Sequence, residues 1–137
     1  MKRVLFDTNI ILDIALKREP YFELSSSLFK LIDQKKIVAH VTASTITDIY
    51  YVAKKEKGGE IAIRFISSLL EITELIGVDK NIIIRAINAK MKDFEDAVQA
   101  SAAIGHEIKI IITRNKVDFL SSGLEIYTPA EFLESVC

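Results

Sequence analysis

Val4-Leu5-Phe6-Asp7-Thr8-Asn9-Ile10-Ile11-Leu12 decides the fold class of this chain. The pattern fits a buried strand running straight into a helix, with Thr8 or Asn9 as the N-cap. A wholly apolar strand has both faces covered, which is the habit of parallel sheets. Outward from this stretch the same alternation recurs. Pro20 opens a helix whose Leu24, Leu28, Leu31 and Ile32 share a face. Ile37-Val38-Ala39 reads as a second strand, and residues 42–57 as a helix that stops at Gly58-Gly59. Residues 60–70 form an amphipathic helix with Ile61, Phe65, Ile66, Leu69 and Leu70 inward. A short strand within 72–78 precedes a helix capped by Asp79 that runs over 82–90.

Asp93 opens the next helix, Phe94–Gly105, whose Ala97, Ala100, Ala102 and Ala103 permit close packing on a sheet. Residues 108–112 are isoleucine broken only by Lys109, a strongly β-prone run, and Thr113-Arg114-Asn115 follows as a turn. A last strand at Glu125-Ile126-Tyr127 leads into Thr128-Pro129-Ala130-Glu131, a capping box with Pro at the first helical position. Strands separated by helices imply parallel pairing through right-handed crossovers. The 137 residues are read as one α/β domain.

Half of the residues are hydrophobic and Gly and Pro number five and two, which excludes disordered and collagen-like classes. The 18 basic and 19 acidic residues leave a net charge of -1, so total charge points to neither a nucleic acid nor a membrane. Cys137 is the only cysteine, expected as an exposed thiol, so neither a disulfide framework nor a zinc spacing is present. Asp7 and Asn9 interrupt the first apolar run, and no stretch reaches the ~18 apolar residues of a membrane span. A soluble, reducing, cytoplasmic setting with no membrane partner is expected.

The carboxylates carry the chemistry. In open α/β sheets, ligands sit beyond the carboxyl ends of strands. Asp7 ends the first strand, and Asp118 lies six residues beyond the 108–112 strand. Asp93 and Asp96 share a face in the first turn of the helix leading into that strand. For Asp93, helix capping is favoured over a metal role. Asp48 lies among Ile46, Ile49, Tyr50, Tyr51 and Val52, with no Lys or Arg three or four residues away. A buried Asp without a cation is costly, so its partner must come from elsewhere, and a metal ion would serve. Oxygen-only ligation favours Mg²⁺ or Mn²⁺, and such a site does metal-assisted phosphoryl chemistry.

Three motifs in order resemble the PIN domain family: Asp7-Thr8-Asn9, Asp93-Phe94-Glu95-Asp96-Ala97, and Thr113-Arg114-Asn115-Lys116-Val117-Asp118-Phe119. The closing Tyr127-Thr128-Pro129-Ala130-Glu131-Phe132-Leu133 is similar to the end of many such domains. The resemblance implies a Rossmann-like fold with a central parallel sheet of four or five strands flanked by helices. It also implies a metal-dependent endoribonuclease of the VapC-like toxin type, leaving a 5′-phosphate and a 3′-hydroxyl. Asp7, Asp96 and Asp118 match the family's acidic site and would hold Mg²⁺ or Mn²⁺. Asp48 takes the place usually held by a glutamate, one methylene longer, and would orient or deprotonate the attacking water. Thr8, Asn9, Arg114 and Asn115 resemble residues that orient the acids or contact substrate. The implied partners are RNA, an antitoxin whose tail enters the acidic groove, and a second copy in a homodimer.

Other residues admit plainer readings. His40 and His106 lack metal-spaced partners and are expected at the surface or as helix C-caps. Tyr50 and Tyr51 are read as core or interface in preference to base stacking. Lys54, Lys55 and Lys57 form a solvated helix end, or join Lys17, Arg18, Arg114 and Lys116 in a phosphate-contacting rim, with Arg114 and Lys116 best placed. Setting four of the 19 acids aside leaves 15 against 18 basic residues, a mildly basic surround for an acidic site. Two alternatives stand beside the nuclease. One is a degenerate PIN domain that binds RNA or protein without cleaving. The other is a response-regulator receiver, which would want adjacent acids after the first strand, where Asp7 stands alone.

Overall fold

A computed structural model describes residues 1–136. Cys137 lies outside the described residues. The apolar runs form five strands: β1 (Lys2–Phe6), β2 (Ile37–Thr42), β3 (Glu74–Ile76), β4 (Ile110–Ile112) and β5 (Glu125–Tyr127). All pair in parallel in the order β3-β2-β1-β4-β5, with Val4 opposite both Ala39 and Ile110. The helices are α1 (Thr8–Ala15), α2 (Phe22–Asp33), α3 (Ala43–Lys57), α4 (Gly59–Ile72), α5 (Lys80–Asn88), α6 (Phe94–Gly105) and α7 (Pro129–Ser135), and a 3₁₀ helix spans Lys116–Ser122.

Alternation along the central strands sends side chains to two cores. Val4 and Phe6 of β1, with Ile110 and Ile112 of β4, meet Ile10 and Ile11 of α1, Leu28 of α2, Ile49 of α3 and Phe132 of α7. Leu5 and Ile111 point to the opposite face, against Ile82 of α5, Ala100 and Ala103 of α6, and Phe119 of the 3₁₀ helix. The alanines of α6 let it approach the sheet closely: Ala97, Ala100, Ala102 and Ala103 are all buried, as their spacing predicts.

Several local expectations are corrected. The N-cap of α1 is Asp7, whose side chain accepts from the Thr8 N–H, because the chain turns helical one residue earlier than the Thr8 or Asn9 reading placed it. Pro20 sits in the preceding turn, after a cis Glu19–Pro20 bond, and α2 starts at Phe22. In α4 the buried side is Ala62, Ile66 and Leu69, whereas Ile61 and Leu70 are exposed. This helix packs against α3, and its Ala62, Ile66 and Leu69 are the residues that this packing buries. Gly58, at φ 91°, makes the reversal between them in a conformation that side chains rarely adopt. His40 is buried within β2 and not at the surface. The caps at Asp79, Asp93 and the Thr128–Glu131 capping box stand as expected.

The order of strands reverses direction on either side of β1, so the crevice between the carboxyl ends of β1 and β4 is a topological switch point. Two backbone bonds fix it: the Asp7 N–H donates to the Ile112 carbonyl at 3.0 Å, and the Thr113 N–H donates to the Tyr127 carbonyl at 2.9 Å.

Candidate active site

Asp7 is carried to the floor of this crevice by β1 and is almost fully buried. Three donors orient its carboxylate. Oδ1 accepts from the Thr8 N–H at 2.8 Å and from Gln99 Nε2 at 2.7 Å, and Oδ2 accepts from the Thr113 hydroxyl at 2.7 Å. Three elements therefore aim one side chain: the start of α1, the face of α6 and the end of β4. The start of α3 is tied in by hydroxyls, Thr8 Oγ1 lying 2.8 Å from Thr45 Oγ1, which in turn accepts from Thr42 Oγ1 at 3.0 Å.

Above Asp7 opens a cleft of about 500 Å³ lined, among the described residues, by six acids, Asp7, Asp48, Asp93, Glu95, Asp96 and Asp118, and by no lysine or arginine. Asp96 projects from the first turn of α6, where the Asp93 side chain caps its N–H at 2.9 Å. Burial raises the Asp96 pKa to about 7, helped by the negative fields of Asp7, Asp93, Asp118 and Glu95. Across the mouth, Asp48 raises the proton affinity of Glu95, with burial and Asp93 adding to it. The Asp48 carboxyl is pushed up by burial. It is half-buried, not enclosed as its apolar sequence neighbours suggest, because α3 turns this face to the cleft. Asp118 is exposed, on the first turn of the 3₁₀ helix, its N–H held by the Asn115 carbonyl at 3.0 Å. Thus Asp7, Asp48, Asp96 and Asp118 are brought together, with Asp93 both helix cap and cleft wall.

A family model of the PIN domain matches residues 3–117. The chain belongs to the PIN domain family. No curated protein sequence matches it. Among solved structures, it is similar to VapBC2 from Rickettsia felis bound to a promoter DNA fragment, at 18% identity and a TM-score of 0.70, over 92% of this chain and 98% of that one. It is similar to DNA-bound VapBC from Salmonella typhimurium, at 19% identity and a TM-score of 0.71, over 94% and 99% of the two chains. It is also similar to the Mycobacterium tuberculosis toxin VapC20, described as cleaving the sarcin–ricin loop, at 12% identity and a TM-score of 0.70, over 88% and 95%. At these identities the likeness is one of fold, and the PIN fold is that of the five-stranded parallel sheet described above. The receiver alternative falls with this family membership.

The donor set of this PIN domain suits a hard divalent cation. Among the described residues no lysine or arginine lines the cleft with its oxygens, the neighbours of Asp96 favour a positive charge there, and Gln99 Oε1, buried beside Asp7, has no hydrogen-bond partner among them. Among the described residues no group of three His, Cys, Asp or Glu side chains is closed around one point. The half-buried Asp96 and exposed Asp118 are the side chains with room to adjust.

The expected substrate contacts divide. Thr8, Asn9 and Asn115 line the cleft. Arg114 does not: its guanidinium makes two bonds to Asp13, at 2.8 and 3.0 Å, and lies 3.9 Å from the centre of the Tyr21 ring. Lys116 is engaged by Glu131 at 3.1 Å. The two cations expected to be the best phosphate contacts are thus both committed to carboxylates. Those that do adjoin the acids are Lys90 and Lys92, in a depression of about 470 Å³ that shares Asp93, Asp96 and Asp118 with the cleft.

The sequence does not single out Asp13, Gln99 or the roles of Thr113 and Glu95, and of the two tyrosines expected in the core or an interface, Tyr50 packs on the core whereas Tyr51 is exposed and lines the cleft. Asp13 stands in Ile10-Ile11-Leu12-Asp13-Ile14, the same apolar surround that singled out Asp48. Gln99 is three residues from Asp96 on one helix face, a spacing that was available to be read. Nothing local marks Thr113 as the partner of Asp7, a residue 106 positions away.

Proposed function

We propose that this PIN domain, spanning residues 1–137, is a metal-dependent endoribonuclease acting as the toxin of a toxin–antitoxin pair. The observation that carries the reading is the convergence of Asp7, Asp48, Asp96 and Asp118 on one cleft without a neutralising base, with Asp96 raised to about 7. Asp7, Asp96 and Asp118 would hold Mg²⁺ or Mn²⁺, which when bound supplies charge neutralisation at the phosphate and an activated water. Asp7, locked by three donors, fixes the position of the site relative to the sheet. Asp48, whose raised proton affinity makes it a better base, takes a proton from the attacking water at its carboxylate. The water oxygen bonds to phosphorus as the phosphorus–O3′ bond breaks, and the proton taken up at O3′ leaves a 3′-hydroxyl and a 5′-phosphate.

The likeness to VapBC complexes supports an antitoxin partner, whose basic side chain would satisfy the cleft's unpaired acids. A homodimer and a cytoplasmic setting belong to the same reading. Among the described residues no helix is long and apolar enough to cross a membrane. Incubating purified protein with end-labelled RNA in Mg²⁺ or Mn²⁺, against EDTA, tests the reading. Cleavage to 5′-phosphate products that EDTA abolishes is expected. Metal-independent cleavage refutes the mechanism, and RNA binding without cleavage in either metal identifies the non-cleaving PIN domain instead.

A further inference from the structure

We propose that the Asp13–Arg114 ion pair is a positioning device for the cleft: by fixing the peptide between Arg114 and Asn115 it aims the Thr113 hydroxyl at Asp7, and so tightens the hold of that carboxylate on a divalent cation. The inference rests on the metal-dependent nuclease reading and adds to it two residues that do not line the cleft. Arg114 stands between two residues that serve the site. Before it, Thr113 donates its hydroxyl to Asp7 Oδ2 at 2.7 Å, and after it Asn115 lines the cleft. Its own side chain turns away to α1, where Nε and Nη2 donate to the two carboxylate oxygens of Asp13 at 2.8 and 3.0 Å. Asp13 is wholly buried and lies four residues after Asn9 on the same helix face, and Asn9 lines the cleft. The ion pair thus fastens the helix that supplies Thr8 and Asn9 to the turn that supplies Thr113 and Asn115.

The coupling runs through one hydroxyl. Thr113 Oγ1 accepts from the Asn115 N–H at 3.0 Å, and its single hydrogen goes to Asp7. The direction of that hydrogen depends on where the Asn115 N–H lies, and this N–H belongs to the peptide that follows Arg114. The guanidinium leaves that peptide little freedom. Asp13 holds its edge with two bonds, and the Tyr21 ring covers its face, with Arg114 Cζ 3.9 Å from the ring centre. A buried ion pair is poor evidence of a gain in stability, since apolar side chains of similar size often replace one without loss. What it supplies is geometry: a fork on a carboxylate fixes distance and orientation together. It also keeps the Arg114 charge away from the acids of the cleft, whose negative field is left to a metal ion.

The test uses the whole protein, with Mn²⁺ binding read by electron paramagnetic resonance without RNA, and cleavage read on end-labelled RNA. Thr113→Val keeps the side-chain shape, removes the hydroxyl, and should weaken Mn²⁺ binding roughly 10- to 100-fold. Arg114→Lys keeps the charge against Asp13 and loses the fork. It should weaken Mn²⁺ binding about tenfold and lower kcat, with KM for RNA within about twofold of the parent. Tyr21→Leu leaves the ion pair, removes the ring stacked on it, and should weaken Mn²⁺ binding about threefold. The decisive comparison is Thr113→Val combined with Arg114→Lys. Because Arg114 acts through the Thr113 hydroxyl, the double variant should bind Mn²⁺ within about twofold of Thr113→Val alone. Leu69→Ala, on the buried side of α4, should lower the melting temperature and leave Mn²⁺ affinity unchanged, which separates positioning from loss of stability. The proposal is overturned if Arg114→Lys and Tyr21→Leu bind Mn²⁺ as the parent does, if the two losses multiply in the double variant, or if the parent binds no Mn²⁺. Mn²⁺ binding that follows this pattern without RNA cleavage would refute the nuclease reading and leave the positioning pair standing. Mn²⁺-dependent cleavage with an affinity indifferent to Arg114 would do the reverse.

Discussion

Replacing Asp96 by Asn should stabilise the metal-free protein, and only above about pH 4. The fold raises the Asp96 pKa from 3.8 to about 7, chiefly through burial and then through Asp7, Asp93, Asp118 and Glu95. Below 3.8 the carboxyl is protonated in both folded and unfolded chains, so it contributes no pH-dependent term. Between 3.8 and about 7 the folded state binds the proton more tightly, so stability falls as pH rises. Above about 7 the whole penalty is present. Taken at face value the shift corresponds to about 4 kcal/mol. Asp96 is partly open to water, and screening reduces the recoverable stability to about 1–2 kcal/mol. Asn has the shape of the protonated acid and keeps the backbone N–H that Asp93 caps. Circular dichroism melts in EDTA at pH 8 should therefore place the variant about 3–8 °C above the parent, with the gap closing toward pH 4. Mg²⁺ or Mn²⁺ should raise the melting temperature of the parent at pH 8 and not at pH 4, since ligands must first lose their protons. An Asp96→Asn protein no more stable than the parent at pH 8, or equally stabilised at both pH values, would refute the electrostatic reasoning.

Asp7→Asn should lower metal-dependent RNA cleavage by more than about a hundredfold, measured with end-labelled RNA. Its melting temperature should change little, because the amide still accepts from Thr8 or Gln99 and the Thr113 hydroxyl can turn to accept from the new NH₂. Asp13→Asn strips the countercharge from the Arg114 guanidinium and should cost about 2–3 kcal/mol in urea denaturation, below the value for a fully enclosed pair because Arg114 is partly exposed. His40, buried with both ring nitrogens unpartnered among the described residues, has its pKa lowered from 6.5 by burial first, with Arg3 and His106 adding to it and Glu74 opposing. The unfolded chain takes up the proton before the folded one, so the parent should lose stability as pH falls through 6.5. His40→Leu should remove that loss, as read from melts between pH 7.5 and about 5; an unchanged pH slope would show that His40 is not its source.

What could be read from the sequence follows from which interactions are local. Helix caps at Asp79, Asp93 and Thr128 bind backbone groups within three residues, so their geometry is written in the spacing. The apolar strands were recognisable because both faces of a parallel sheet are covered, leaving runs such as Ile110–Ile112 with little polar interruption. The helix boundaries of Phe94–Gly105 were legible for the same reason, an Asp before and a Gly at the end. The inward side of α4 was not: Ile61 and Ile66 are equally apolar, and only packing against α3 decides which is buried.

The site divides along the same line. By itself the sequence determined a parallel α/β fold, and its carboxylates at strand and helix ends, together with the resemblance to the PIN domain family, pointed to Asp7, Asp48, Asp96 and Asp118. Only the tertiary structure decided what those acids meet. It brought Gln99 and Thr113 onto Asp7 from 92 and 106 residues away. It withdrew Arg114 from the site by burying Asp13 within reach of it, and turned Tyr51 out of the core into the cleft wall. Charge and hydrogen-bond partnership act through space over a few ångströms, and no periodicity along the chain records which distant residues come that close.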